Sequence, residues 1–97
     1  MDKGKKEKRA LRLYVAGTSA RSSLAISNIK NICEQYFSDG YELEVVDIYQ
    51  QPELAEEENI IAAPTLIRKL PPPMRRVVGD MSDTNRVVVM FMLDAQD

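Results

Sequence analysis

The sequence predicts a single small α/β domain, and three observations carry that prediction. The chain has 97 residues, enough for one hydrophobic core and no second. Its 44% hydrophobic and 29% charged content is that of a globular protein rather than a disordered one. The apolar pattern changes period along the chain, from two to 3.6 and back to two, which reads as strand, helix, strand. A chain this short buries only about two-thirds of its unfolded surface, so a partner or a second copy is expected to cover more.

Leu11–Ala16 is the first strand, with Leu11, Leu13 and Val15 alternating with Arg12, Tyr14 and Ala16. Gly17-Thr18-Ser19 ends it with turn residues. A helix follows, because Ala25, Ile29, Ile32, Cys33 and Tyr36 form one apolar stripe of helical period. Ser38-Asp39-Gly40 closes it, with Gly40 as the C-terminal cap. Tyr41–Ile48 is the second strand, its apolar residues being Leu43, Val45, Val46 and Ile48. The intervening helix is long enough for a right-handed crossover between parallel strands.

The second half opens with a short helix, Pro52–Asn59. Pro52 suits its first turn, and Glu53 and Glu56 favour its positive end. Thr65–Leu70 and Met74–Val78 are strands, separated by the stiff, donor-poor Pro71-Pro72-Pro73. Arg86–Leu93 is locally conflicted. Ser82 or Asp83 can cap a helix there, while Val87-Val88-Val89-Met90-Phe91 prefers a strand. Each valine costs a helix about 0.6 kcal/mol relative to alanine. Burying Val87, Met90, Phe91 and Leu93 against a sheet returns about 1.5–3 kcal/mol per large side chain. Burial is the larger effect, so Ser82–Leu93 is expected to be helical and to close a four-stranded sheet.

Composition excludes whole classes of chemistry. The chain has no histidine and one cysteine, Cys33. A Ser-His-Asp triad, a Cys-His nucleophile, a histidine-ligated zinc site, an internal disulfide and a Cys-x-x-Cys pair are all ruled out. Cys33 lies on the apolar stripe with no cation close in sequence, and is expected to be a buried, unreactive thiol. No apolar run reaches the length of a membrane span, and the Lys-rich start has no apolar leader, so a cytoplasmic protein without a membrane association is expected. Residues 1–9 carry five basic and two acidic side chains, against 8 and 13 in the rest. The expectation is a solvated, disordered basic arm over 1–9 and a domain over 10–97. The acidic body argues against nucleic-acid binding.

Several local features are candidates for function. Arg68-Lys69 and Arg75-Arg76 bracket the triple proline and can meet an anion or an acidic partner surface, or else form exposed rungs on two strands. Glu56-Glu57-Glu58 splays around a helix rather than converging on a metal. Gly17 follows a strand, as a phosphate loop does, but the second glycine and the lysine of such loops are missing. Ala62-Ala63-Pro64-Thr65-Leu66 is the sharpest local signal. A proline entering a strand after a short helix is the pattern in which thioredoxin-like folds place a cis peptide, so Pro64 is expected to be cis. A trans proline at a strand start is the alternative.

Taken together, Leu13-Tyr14-Val15-Ala16-Gly17, Val46-Asp47-Ile48, Gln51 through Glu57, Ala63-Pro64-Thr65-Leu66 and Leu70 through Asp80 resemble the KaiB family of small clock adaptors. The resemblance runs from about Leu11 to Ser82 without gaps, and its Leu-Ala-Glu-Glu and Leu-Pro-Pro-Pro-x-Arg-Arg blocks are specific in combination. It implies a non-enzymatic adaptor, without cofactor or metal, that binds a KaiC-type ATPase in circadian or stress-linked signalling. It also implies two folds for one chain: a monomeric thioredoxin-like βαβ-αββα state that binds the partner, and a tetrameric ground state differing in the C-terminal half. Arg68, Arg75, Arg76, Glu56 and Glu57 are the candidate partner-binding residues, and Gly17, Pro64, Pro71, Pro72 and Pro73 the structural ones. Basic residues are common in the family where this chain has Leu24, Glu44 and Asn59. Met90 and Met92 replace a glycine and an aspartate, which raises helix propensity and favours the thioredoxin-like state. Two other functions fit the fold. One is a free-standing sensory domain partnering a histidine kinase. The other is a thiol oxidoreductase, which the cysteine-free turn Gly17–Ser22 argues against.

Overall fold

Alternation along the first strand divides the domain into two layers. A computed structural model describes residues 9–38 and 40–92. The basic arm expected over residues 1–9 lies outside them apart from Arg9, as do Leu93 and the Phe91 side chain. In β1 (Ala10–Val15), Leu11, Leu13 and Val15 point to one face of the sheet, and Arg12 and Tyr14 to the other. The remaining elements are α1 (Ala20–Tyr36), β2 (Glu42–Asp47), α2 (Pro52–Glu57), β3 (Thr65–Leu70), β4 (Arg75–Val78) and α3 (Thr84–Met92). The sheet order is β2-β1-β3-β4. β1 and β2 are parallel, with Leu13 opposite Val45. β3 is antiparallel to β1, with Leu66 opposite Leu13, and β4 is antiparallel to β3, with Val77 opposite Leu66. This is the expected thioredoxin-like βαβ-αββα arrangement.

The first face carries the larger core. Ala25, Ile29, Ile32 and Cys33 of α1 and Val87 and Met90 of α3 bury the row Leu11, Leu13, Val15, Leu66 and Val77. On the second face α2 places Ala55 over Tyr14, Val46 and Ile67. The Ser19 hydroxyl caps α1 by accepting from the Ser22 N–H at 3.2 Å, and the Asp83 carboxylate caps α3 by accepting from the Arg86 N–H at 3.2 Å. Asn28 of α1 donates to the Asp80 carbonyl at 2.9 Å, tying the two helices through the loop before α3.

Two details at the end of α1 differ from the sequence expectation. Tyr36 is 47% exposed, and Phe37 takes the buried place instead at 6%. The helix closes at Phe37, whose N–H donates to the Cys33 carbonyl at 2.8 Å, and Gly40 lies beyond the cap. The chain leaves the helix one residue after the stripe ends, and the change in backbone direction turns Phe37 inward. In β2, Val46 is fully buried but Val45 is 41% exposed, because β2 is an edge strand. α2 ends at Glu57, two residues short of the expected Asn59, which has a left-handed φ of 55°.

The Ala63–Pro64 peptide is cis as expected, and Leu70–Pro71 and Pro72–Pro73 are cis as well. Gly17 has φ +59°, and a Cβ there would meet the Tyr49 ring at 3.4 Å.

The conflict in the last segment resolves toward helix. Val87 is 1% exposed and Met90 7%, while Val89 is 53% exposed. Replacing Val87 by Ala is expected to destabilise the protein by about 1–3 kcal/mol through lost burial and a residual cavity. Val89→Ala is expected to be neutral or to stabilise by a few tenths of a kcal/mol, since alanine is the better helix former. Urea unfolding of both variants measures this. Similar losses for the two would mean that α3 packs through a different face.

Candidate functional site

The second face of the sheet holds a short helix that cannot stand alone. A six-residue helix is far below the length at which isolated helices persist in water, so α2 depends on what it touches. Its contacts concentrate at its C-terminal end. Tyr14 is fully buried, and its hydroxyl donates to Glu58 Oε1 at 2.7 Å. Lys69 Nζ donates to the other oxygen of the same carboxylate. Arg12 Nη1 donates to the Tyr14 hydroxyl at 3.2 Å and stands 3.7 Å from Glu58 Oε1. Arg76 donates to the Glu58 carbonyl at 2.8 Å and to the Asn59 carbonyl at 3.1 Å. Side chains from β1, β3 and β4 thus hold the residues that leave α2, and the last carbonyls of a helix are those most in need of donors.

Electrostatics follow from this geometry. Burial pushes the Glu58 carboxyl up, but the hydrogen bonds from Lys69 and Tyr14, with the charges of Lys69 and Arg12, hold it below its ordinary value. Burial, then the hydrogen bond to Glu58, pushes the Tyr14 phenol up. A second ion pair, Arg12 Nε to Glu44 Oε1 at 2.9 Å, links β1 to the edge strand β2.

The clamp fixes an apolar rim. Beyond Asn59 the chain turns so that Ile60 packs on the second core and Ile61 projects to solvent at 96% exposure. Across from it, Asp47 Oδ1 accepts from the backbone N–H groups of Gly17 at 3.2 Å and Tyr49 at 2.9 Å, and Tyr49 is 73% exposed. Between them lies an open groove of about 670 Å³, lined by Ile48, Tyr49, Ala55, Glu56, Ile60 and Ile61 among others.

The candidate residues are distributed unevenly over this geometry. Glu56 borders the groove, and Glu57 is exposed on the outer side of α2. Arg76 is exposed on the α2 side. Arg75 lies on the opposite face of β4, half-buried. Arg68 corrects the sequence reading, for it is neither an exposed rung nor available to a partner in this conformation. It is 1% exposed, and it donates to the Met90 carbonyl at 3.1 Å and the Pro73 carbonyl at 2.8 Å. Its strand parity points it into the first face, where α3 and the proline turn supply carbonyls. Tyr14, Tyr49 and Ile61 were not candidates in the sequence, and Glu58 and Lys69 stood there only as members of the runs Glu56-Glu57-Glu58 and Arg68-Lys69, with no link between them. The available signal was parity, since Ile67 and Lys69 share a face of β3 with the residues beneath α2.

Cys33 is fully buried, and burial, with a smaller contribution from Glu34, pushes its thiol up to about 12. Two outcomes follow. Native Cys33 should fail to react with DTNB at pH 8 and react fully in denaturant; prompt native labelling would show an accessible thiolate. For Glu58 the folded value lies below the unfolded one, so its stabilisation is complete above the unfolded value of about 4.3. That stabilisation is lost as pH falls through the folded value. Glu58→Gln should lower stability at pH 7 and flatten its dependence between about pH 5 and pH 3. An unchanged slope in denaturation curves would detach Glu58 from the clamp.

Comparison with known proteins places this geometry in a family. The KaiB domain matches residues 12–93. The chain is 51% identical over 79 residues to the circadian clock protein KaiB3 of Synechocystis sp., covering 81% of this chain and 78% of that protein. It is 49% identical to the circadian clock oscillator protein KaiB of Nostoc punctiforme, with 81% and 76% covered. Among solved structures, the N-terminal domain of Synechococcus elongatus SasA superposes with a TM-score of 0.78 at 18% identity, over 100% of this chain and 94% of that one. The thioredoxin Deadhead of Drosophila melanogaster gives 0.72 at 17% identity, over 90% and 81%. The two structures confirm the thioredoxin-like fold. Domain match and sequence identity go further, and by them the chain belongs to the KaiB family of circadian clock proteins.

Proposed function

We propose that the chain is a non-enzymatic adaptor that binds a KaiC-type ATPase through the face carrying α2. The observation that carries this reading is the rim formed by Ile61, at 96% exposure, and Tyr49, at 73%, over an open groove. Exposed apolar side chains held in fixed positions are what a docking surface needs, because little entropy is lost when they are covered. Arg76, Glu56 and Glu57 border this face and give it orientation. Arg75 faces the other way and has a secondary role. Arg68 acts from inside, holding the proline turn and α3.

The adaptor acts by population shift: the partner binds the thioredoxin-like conformer better than a tetrameric alternate and draws the equilibrium toward it. The protein works in the cytoplasm and regulates circadian or stress-linked signalling. No helix among the described residues is long and apolar enough to cross a membrane, and the acidic body does not favour nucleic acid. With one buried cysteine, the thiol oxidoreductase reading has no chemistry behind it.

Binding of the purified KaiC-type ATPase, followed by biolayer interferometry, tests the reading. Ile61→Asp and Arg76→Glu should each weaken binding by about tenfold or more. Arg75→Glu should weaken it by less than about threefold, with melting temperature little changed for Ile61→Asp and Arg75→Glu and lowered for Arg76→Glu, which loses two bonds to the chain leaving α2. Equal and small effects at Ile61 and Arg76 would place the interface elsewhere. Recovery of a histidine kinase instead of an ATPase in a pull-down would favour the sensory-domain alternative.

A further inference from the structure

The charges around the groove are not balanced. The three strand cations on the second face are engaged inside the protein. Arg12 pairs with Glu44, Lys69 with Glu58, and Arg76 is bound to two backbone carbonyls. Glu53, Glu56 and Glu57 of α2 are all exposed, and among the described residues none of them forms an ion pair. They lie three and four positions apart, so they share the outer side of the helix. Glu56 also lines the groove beside Ile60 and Ile61. A partner segment entering this groove therefore meets an apolar floor with Glu56 at its edge, and Glu53 and Glu57 stand unpaired on the outer side of the same helix.

We infer that the occupant of this groove is a basic aliphatic segment of the partner, a leucine, isoleucine or valine flanked by lysines or arginines. The aliphatic side chain covers Ile48, Ile60 and Ile61, and the flanking cations meet Glu53, Glu56 and Glu57. An acidic segment is disfavoured, since it brings like charges together and finds the local cations already occupied. A second copy of this chain is disfavoured for the same reason, because its own α2 face would bring the same three carboxylates. The inference deepens the adaptor reading and rests on it for the identity of the face, while the charge of the occupant follows from the side chains alone.

The test uses the full chain, isotope-labelled for amide spectra, and three short peptides. One carries isoleucine between lysine pairs, one isoleucine between glutamate pairs, and one serine between lysine pairs. The first should shift the amides of Ala55, Glu56, Asn59, Ile60 and Ile61, and lose the effect at high salt. The other two should shift them much less. The double variant Glu56→Lys, Glu57→Lys should lose the response by about tenfold and begin to respond to the glutamate peptide. Equal or stronger binding of the glutamate peptide to the unmodified chain, or shifts mapping away from the groove, would overturn the inference. The same double variant is then measured against the ATPase. If Ile61→Asp abolishes ATPase binding while the charge reversal leaves it unchanged or tighter, the face stands and the inference about charge fails. If Ile61→Asp has no effect on the ATPase, the adaptor face fails, and the peptide titration alone decides the groove's preference. Circular dichroism of each variant confirms that it is folded.

Discussion

The arrangement of the second face depends on the need to satisfy one buried hydroxyl. Tyr14 lies in the middle of a strand flanked on both sides, and its ring is part of the core beneath α2. A phenol buried there without a partner would cost about 1–3 kcal/mol. Its hydrogen goes to Glu58, and a carboxylate so enclosed needs a cation in turn, which Lys69 provides. Each requirement fixes the next element: β1 fixes the end of α2, and β3 fixes it again. The direction in which the chain leaves α2 follows, and with it the exposure of Ile61 and the groove beside it.

A buried cation organises the first face. Arg68 joins the proline turn to the last turn of α3 by donating to the carbonyls of Pro73 and Met90. The final carbonyls of a helix have no partner within it, so this contact favours the helical form where the sequence is rich in valine. Apolar burial alone was enough to predict the helix. The Arg68 contact explains why it packs at this place, and why a residue that looks like a surface cation is enclosed. It also separates Arg68 from Arg76 in role, although both lie on strands next to the same turn.

Most of the architecture was legible because it rests on local regularities. The alternation in β1, the apolar stripe of α1 and the proline before β3 each identify an element without reference to any other. Cys33 was legible for the same reason, since a stripe position is a burial position. What was not legible depends on pairs distant in sequence. Tyr14 and Glu58 are separated by 44 residues, and Glu58 stands last in a run of three glutamates that reads as a solvated face. Glu58 follows Ala55 by three positions and Leu54 by four, so it falls on the inward side of the helix while Glu56 and Glu57 stay outside. The exchange of Tyr36 for Phe37 arises from a change of backbone direction that periodicity cannot register.

The asymmetry of the two faces explains why docking belongs on one of them. The 17 residues of α1 span about 25 Å, and with α3 beside it the first face is covered across its width. The six residues of α2 span only about 9 Å, less than the roughly 14 Å between the outer strands of a four-stranded sheet. Part of the second face must therefore stay uncovered. Val78 at the far edge is 48% exposed, and Ile61 is almost wholly so. Lengthening α2 would cover this surface, but it would carry the helix past Asn59 and take the Glu58 carboxylate and the Glu58 and Asn59 carbonyls out of reach of the clamp. The short helix, the polar clamp at its end and the open apolar rim are thus one solution to one packing problem, and the uncovered surface is what remains for a partner.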